Sequence, residues 1–196
     1  MLTVAITGNA GSGKTTICEL FQNLGATIIS TDEINRILLQ SSGFLIKLLE
    51  QALDQTLSTD GKPDKDKIWK AIISSPDKRE TIESVLHPVI MQNVNLQLDL
   101  CRSTYCLVEV PLLFEAGLEN YFDRILLITA SHSVLKNRLN NRDQAHRGNL
   151  IDILDTQMTD RIKFALSDDI IFNDGTLDVL DRQVSLLHQR YIKGNK

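Results

Sequence analysis

Residues 8–15 constrain this chain more than any other stretch. They spell Gly-Asn-Ala-Gly-Ser-Gly-Lys-Thr, which fits the pattern G-x-x-x-x-G-K-[ST] without a mismatch. An apolar run of strand length precedes the pattern, and apolar residues at helical spacing follow it. In such a loop successive backbone N–H groups surround phosphate oxygens, and the following helix points its positive dipole end at them. We therefore predict that the chain binds a nucleoside triphosphate, the alternative being a glycine-rich turn with a chance lysine.

Within this phosphate loop each residue has a predicted role. Lys14 reaches the outer phosphates and takes part in catalysis, and the Thr15 hydroxyl ligates Mg²⁺. The residues predicted to bind ATP are Gly11, Ser12, Gly13, Lys14, Thr15 and Thr16.

The composition is that of an ordinary globular protein, with 42% hydrophobic and 23% charged residues. A net charge of −4 without a basic cluster argues against nucleic-acid and membrane partners. No signal peptide and no apolar run of about 18 residues is recognised, so we expect a cytoplasmic protein. The three cysteines, Cys18, Cys101 and Cys106, are odd in number and lack CxxC spacing, which favours reduced thiols over a disulfide or a zinc site.

Apolar runs at 25–30, 105–110, 124–129 and 169–173 predict four further strands. Helical patterns separate the strands, which indicates an α/β fold with a five-stranded parallel sheet and right-handed crossovers. Between 37 and about 100 the strand signal disappears, and helical patterns predict an insertion that binds the acceptor, by analogy with small-molecule kinases. We expect one domain over 1–196. Its core covers about 1–36 and 104–196, its helical insertion about 37–103 and its lid about 136–150.

Asp32 follows the second predicted strand, and ligands of open parallel sheets lie beyond the carboxyl ends of strands. Phosphoryl transfer to a hydroxyl needs a carboxylate that orients the acceptor and takes its proton. Asp32 is therefore a candidate catalytic base, and the alternative is a cap of a helix that begins at Ile34. Arg36, one turn later, contacts an anionic substrate or is simply solvated.

Two other positions leave alternatives open. Pro88 fits the first turn of a helix, which explains the His87-Pro88 pair structurally, while His87 is also a candidate for substrate contact. Glu109, near the end of the third strand, either assists water-mediated Mg²⁺ binding or pairs with a buried group.

Arg138 and Arg142 are four residues apart on one predicted helical face, and Arg147 follows in a polar stretch with few apolar anchors. This pattern suits a mobile flap whose arginines neutralise phosphate charge and exclude water. The alternative is a solvated basic helix face. A helix over about 151–164 is predicted next, with Gln157 and Lys163 on its polar side.

In this order the motifs resemble those of the dephospho-coenzyme A kinase family over nearly the whole chain. The matching segments are TGNAGSGKTT, STDEINR, LHPVI, VPLLFEAGL, LKNRLNNRD, ILDTQM and LSDDIIFNDG. The resemblance implies a three-layer P-loop NTPase fold and transfer of the ATP γ-phosphoryl group to the ribose 3′-hydroxyl of 3′-dephospho-CoA. It also implies Asp32 as base, Arg138 and Arg142 as catalytic lid residues, and Mg²⁺ as cofactor. It places the acceptor at Asp32, Arg36, His87, Pro111 and Leu112.

The chain departs from the family pattern at two places. It carries Ser30-Thr31-Asp32 where the family usually has Asp-Ala-Asp, and Asp64-Lys65-Asp66 where an arginine is often found. A lysine there lacks the bidentate fork of arginine. The expected partners are ATP and 3′-dephospho-CoA, with a monomer or a weak homo-oligomer. The alternatives are a nucleoside or nucleotide kinase of the same fold and a GTPase-like switch, although no Asn-Lys-x-Asp or Asp-x-x-Gly motif supports the latter.

Overall fold

The structure, a computed structural model, describes residues 1–143 and 158–194, without the side chains of residues 73, 142 and 143. The described chain forms two compact units, one of residues 1–29 and 101–194 and the other of residues 30–100. The second unit begins before position 37, because the helix after the second strand belongs to it.

The first unit is built on a five-stranded parallel sheet, as the sequence predicts. Its central strands are apolar and buried on both faces, which is typical of parallel sheets covered by helices. The order of the five strands in the sheet is β2-β5-β1-β6-β7. Their bounds are β1 at Leu2–Thr7, β2 at Thr27–Ser30, β5 at Tyr105–Glu109, β6 at Arg124–Thr129 and β7 at Asp169–Phe172.

Helices of the first unit begin where the strand pattern stops. Those described are α1 (Lys14–Asn23), α6 (His132–Asp143), α7 (Asp160–Leu166) and α8 (Leu177–Lys193). α1 and α8 meet through Phe21 and Tyr191, whose rings stack at 6.2 Å. Tyr191 donates a 3.0 Å hydrogen bond to Asp169, which also pairs with Arg124 and Arg190. This packing holds α1 and α8 against each other and ties α8 to β7.

The second unit is mainly helical. It contains α2 (Thr31–Ser41), α3 (Gly43–Leu53), α4 (Lys65–Ser74) and α5 (Pro76–Leu100), together with a small hairpin of β3 (Ser58–Thr59) and β4 (Lys62–Pro63). The sequence predicts only a turn at this hairpin. Asp60 and Gly61 both have positive φ, which is the conformation that a two-residue hairpin turn requires. Glu50 holds the hairpin by accepting hydrogen bonds from Leu57 N and Ser58 N, at 2.7 and 2.9 Å.

The prediction for Pro88 is wrong, because Pro88 lies inside α5 and not in a first helical turn. Pro76 occupies the first helical position instead, where proline is well tolerated. α5 continues through Pro88 because buried residues on both sides, including Ile82, Leu86 and Ile90, hold it in place.

The prediction of three reduced thiols is also wrong. Cys101 and Cys106 form a disulfide across the turn that leads into β5, and Cys18 is buried and free. Spacing alone does not show that this turn folds back on itself. Burial, with a smaller contribution from Glu109, raises the pKa of Cys18 to about 12, so this thiol stays protonated.

Among the described helices, none has the length and apolar character needed to cross a membrane.

Candidate active site

The phosphate loop lies between β1 and α1 in the conformation that its glycines permit. Gly8, Gly11 and Gly13 all have positive φ, at 148°, 78° and 94°. A Cβ at Gly8 would collide with the carbonyl of Ile128, and one at Gly13 with the amide of Asn173. The glycines are therefore required by backbone conformation and by close packing.

Lys14 folds back over this loop. Its Nζ donates to the carbonyl oxygens of Gly8 and Asn9, at 2.7 and 3.2 Å. Thr15 is exposed in the first turn of α1, and the Ser12 hydroxyl is buried without a hydrogen-bond partner among the described residues. The ammonium, the exposed hydroxyl and the helix N-terminus thus meet at one loop, as phosphate binding requires.

A buried network holds Asn9 of the loop. Lys163 on α7 donates to Asn9 Oδ1 at 2.9 Å, and Asn9 Nδ2 donates to Asp160 Oδ1 at 2.7 Å. Lys163 also pairs with Glu115 at 2.9 Å, and Glu115 accepts from the Met158 N–H at 3.0 Å. Burial raises the pKa of Glu115, but hydrogen bonds and the charge of Lys163 outweigh it and lower the pKa below its ordinary value. The prediction that Lys163 lies on a polar face is wrong, because its side chain is 0% exposed and points at these partners.

Arg138 and Asn173 hold the other side of the loop. Arg138 Nη1 donates to the Gly11 carbonyl at 3.3 Å, and its Nη2 donates to the Asn173 carbonyl at 3.0 Å. Asn173 Nδ2 donates to the Ser12 carbonyl at 2.8 Å. Hydrogen bonds therefore hold the Arg138 side chain against the phosphate loop. The sequence-based hypothesis places Arg138 on a mobile flap and does not predict these bonds.

A cavity of about 420 Å³ lies beside the loop. Thr16, Arg138 and Asn141 form part of its wall, with Gly175 and Leu177 of the turn after β7. Its size and mixed polar and apolar lining suit a nucleoside.

Asp32 is exposed in the first turn of α2, in the second compact unit. The helix begins at Thr31, and its cap is Ser30, whose hydroxyl accepts from the Glu33 N–H. The alternative that Asp32 caps a helix beginning at Ile34 is therefore wrong. Arg36 is held on the surface by Glu33 through two hydrogen bonds, which raise the pKa of Arg36 and lower that of Glu33.

Comparison with known proteins decides the family. The family model described as dephospho-CoA kinase matches residues 2–178. The chain belongs to the dephospho-CoA kinase family. A dephospho-CoA kinase from Coxiella burnetii is 32% identical over 195 residues, which cover 98% of each chain. A solved structure from Thermus thermophilus has a TM-score of 0.80 at 25% identity and covers 96% of this chain and 97% of that one. The dephospho-CoA kinase from Campylobacter jejuni has the same fold, with a TM-score of 0.70 at 24% identity over 99% and 98% of the two chains.

The family membership confirms the resemblance found in the motifs and the prediction of an ATP-dependent kinase with an α/β P-loop fold.

The other residues that are predicted to bind the acceptor come from separate parts of the sequence. His87 is half-buried on α5, and Pro111 and Leu112 are half-buried after β5, where the Thr7 hydroxyl donates to the Pro111 carbonyl at 3.3 Å. Glu109 ends β5 and is half-buried.

Part of the predicted lid, which covers about residues 136–150, lies outside the residues that the structure describes. The side chain of Arg142 and residues 144–157, including Arg147 and Gln157, lie outside the described residues. In the described ranges, no group of three or more His, Cys, Asp or Glu side chains is placed to hold a metal ion. The predicted Mg²⁺ ligand, Thr15, is a hydroxyl, and such a site is completed by the phosphates of the nucleotide.

Three residues of the site are missed by sequence reasoning. Asn9, Asp160 and Asn173 are polar residues in or near loops, and nothing in their local spacing distinguishes them from solvated positions. One usable signal is the Asn-Asp-Gly sequence directly after the last strand, because the carboxyl ends of parallel strands lie at the ligand-binding edge.

Proposed function

We propose that this member of the dephospho-CoA kinase family transfers the γ-phosphoryl group of ATP to the ribose 3′-hydroxyl of 3′-dephospho-CoA, the last step of CoA synthesis. The observation that carries the proposal is the phosphate loop of a chain of this family. Its Lys14 ammonium, its exposed Thr15 and a Ser12 hydroxyl that has no partner among the described residues fit a nucleoside triphosphate. ATP contacts are assigned to Gly11, Ser12, Gly13, Lys14, Thr15 and Thr16.

In the proposed reaction, the acceptor O3′ forms a bond to the γ-phosphorus while the bond to the bridging oxygen of ADP breaks. The proton of the 3′-hydroxyl moves to the Asp32 carboxylate. The position of Asp32, exposed in the first turn of α2 directly beyond the second strand, supports this role. Lys14 stabilises charge on the transferring group. Arg138 keeps the loop carbonyls turned away from the phosphates by donating to Gly11, and Arg142 adds positive charge as a lid residue.

Mg²⁺ is the proposed metal, held by the Thr15 hydroxyl and the nucleotide, and it neutralises phosphate charge when bound. Arg36, His87, Pro111 and Leu112 remain the proposed acceptor contacts. We place the reaction in the cytoplasm and expect a monomer or a weak homo-oligomer.

The test measures ADP release from ATP and Mg²⁺ with and without 3′-dephospho-CoA. We expect acceptor-dependent turnover, with kcat lowered about 100-fold or more in Asp32→Asn and ATP affinity retained, because general base catalysis contributes about 10²–10⁴-fold. Asp77→Asn is the matched control, since Asp77 is an exposed acid in the first turn of α5. Turnover that ignores 3′-dephospho-CoA would direct the search to nucleoside and nucleotide acceptors. Full activity in Asp32→Asn would show that Asp32 is not the catalytic base.

A further inference from the structure

The second compact unit carries a groove of about 700 Å³ between α2 and α4. Leu39 of α2 lines one wall, and Ile68, Trp69 and Ile72 of α4, with Pro63 of β4, line the other. Trp69 is 61% exposed, although a tryptophan side chain gains more from burial than almost any other. Together with the apolar side chains around it, the ring offers a surface that an uncharged part of a ligand can cover.

The described charged side chains that line the groove are all cationic, and the amides of Asn35 and Gln40 lie beside them. Arg36, Lys62 and Lys65 line it, and no carboxylate is among the described residues that do. The groove therefore combines an apolar wall with two lysines and Arg36, which is also paired with Glu33 of the same helix. This is the complement of an elongated ligand that has an anionic end and an uncharged arm.

Asn35 adds a hydrogen-bonding group to the same groove. Its Oδ1 is buried and has no hydrogen-bond partner within the described parts of the chain. Buried amide oxygens are normally paired, so this acceptor needs a donor that the described residues do not supply. A rotation of the amide turns it toward a ligand N–H in the groove.

The groove begins beside the proposed catalytic base. Asn35, Arg36 and Leu39 lie three, four and seven residues after Asp32, so the four residues share one face of α2. At about 1.5 Å per residue, Arg36 lies about 6 Å and Leu39 about 10 Å along the helix from Asp32. In 3′-dephospho-CoA the diphosphate leaves the opposite side of the ribose from the 3′-hydroxyl, and the pantetheine arm follows it. The order of groups along α2 is therefore base, cation and apolar wall, which matches hydroxyl, diphosphate and pantetheine.

We propose that this groove binds the phosphopantetheine arm of the acceptor, with Trp69 and Leu39 against the arm, Asn35 on one of its amides, and Arg36, Lys62 and Lys65 on the diphosphate. The proposal rests on the proposed function, because it assumes that Asp32 faces the 3′-hydroxyl. It makes Trp69 and Lys65 determinants of acceptor specificity.

Binding is measured directly because Trp69 is the single tryptophan of the chain. We expect 4′-phosphopantetheine, without any nucleotide, to change the fluorescence of the wild-type protein in a saturable way. In Lys65→Ala the reporter is retained, and we expect the midpoint of the titration to rise several-fold. Emission that does not respond to 4′-phosphopantetheine or to 3′-dephospho-CoA would overturn the proposal.

Kinetics separate this inference from the proposed function. AMP carries the same 3′-hydroxyl but no pantetheine, so it serves as the truncated acceptor. In Trp69→Ala we expect the ratio of kcat/KM for 3′-dephospho-CoA to kcat/KM for AMP to fall about tenfold, mainly through KM for 3′-dephospho-CoA.

The matched control is Phe44→Ala, which removes another exposed ring of this unit (73% exposed) that does not line the groove. A wild-type protein that does not phosphorylate 3′-dephospho-CoA would defeat the proposed function. A wild-type protein that does so while Trp69→Ala keeps its acceptor ratio would defeat the groove assignment alone.

Discussion

At the scale of single residues, Lys163 connects the phosphate loop to the segment after β5. Its ammonium contacts both Asn9 and Glu115, and neither contact is open to solvent on the lysine side. Since Asn9 belongs to the phosphate loop, the hydrogen bond from Lys163 to Asn9 Oδ1 helps to hold the loop in place. We therefore regard Lys163 as a positioning residue for the nucleotide site.

Lys163→Met keeps the length of the side chain and removes its charge. We expect the free energy of unfolding to fall by about 3 kcal/mol at neutral pH, because the change leaves Glu115 without its buried cation. We also expect KM for ATP to rise several-fold with a smaller effect on KM for the acceptor. Urea unfolding and initial-rate kinetics measure these effects, with Lys136→Met, an exposed lysine on α6, as control.

The pH dependence of the same variant is a further check on its cause. The pKa of Glu115 is lower in the folded protein than in the unfolded chain. Its contribution to stability is present above the unfolded pKa of about 4.3 and is lost as the pH falls through the folded value. The difference between wild type and Lys163→Met should therefore shrink below about pH 4. A constant difference would show that lost packing, and not lost charge, causes the destabilisation.

The sequence predicts the position of Lys14 but not that of Lys163, for a physical reason. Lys14 belongs to a local motif whose function depends on neighbouring residues. Lys163 is buried because its partners, Asn9 and Glu115, come from distant parts of the chain and meet only in the folded state. A helical pattern assigns any lysine to the solvent side, so the burial of Lys163 has no local signal.

At the scale of elements, the strands are predicted well because their apolar runs record burial on both faces of the sheet. Helix α5 is predicted less well. Proline removes an N–H and crowds the carbonyl four residues earlier, so the pattern indicates a helix start at Pro88. Tertiary packing of Ile82, Leu86 and Ile90 overrides this local preference.

Pro88→Ala tests how much α5 loses to its internal proline. The alanine supplies a donor for the Ser84 carbonyl, and we expect the free energy of unfolding to rise by about 1 kcal/mol. This is less than the roughly 3 kcal/mol intrinsic cost of proline, because alanine also gives the unfolded chain more freedom. Pro76→Ala is the matched control and should be neutral or slightly destabilising, since Pro76 begins α5. A loss of stability in Pro88→Ala would mean that the packing of α5 requires the proline.

At the scale of the whole molecule, the two compact units carry different binding features. Every described residue that lines the nucleotide cavity belongs to the first unit, and every described residue that lines the apolar groove belongs to the second. The sequence predicts a single domain with a helical insertion at about 37–103, where the strand signal stops. It does not predict the groove, which depends on the approach of α2 and α4.

Hydrogen exchange tests whether the two ligands use these units separately. A non-hydrolysable ATP analogue with Mg²⁺ should slow exchange in peptides covering residues 8–16, because the loop amides become donors to phosphate. 4′-Phosphopantetheine should slow exchange in peptides covering residues 35–40 and 62–72, where it would stabilise the two walls of the groove. If the ATP analogue alone protected residues 35–72 as strongly, nucleotide binding would already order the acceptor groove, and the two sites would be energetically coupled. If 4′-phosphopantetheine protected neither segment, the pantetheine arm would have to bind elsewhere, because a ligand that fills the groove must contact both α2 and α4.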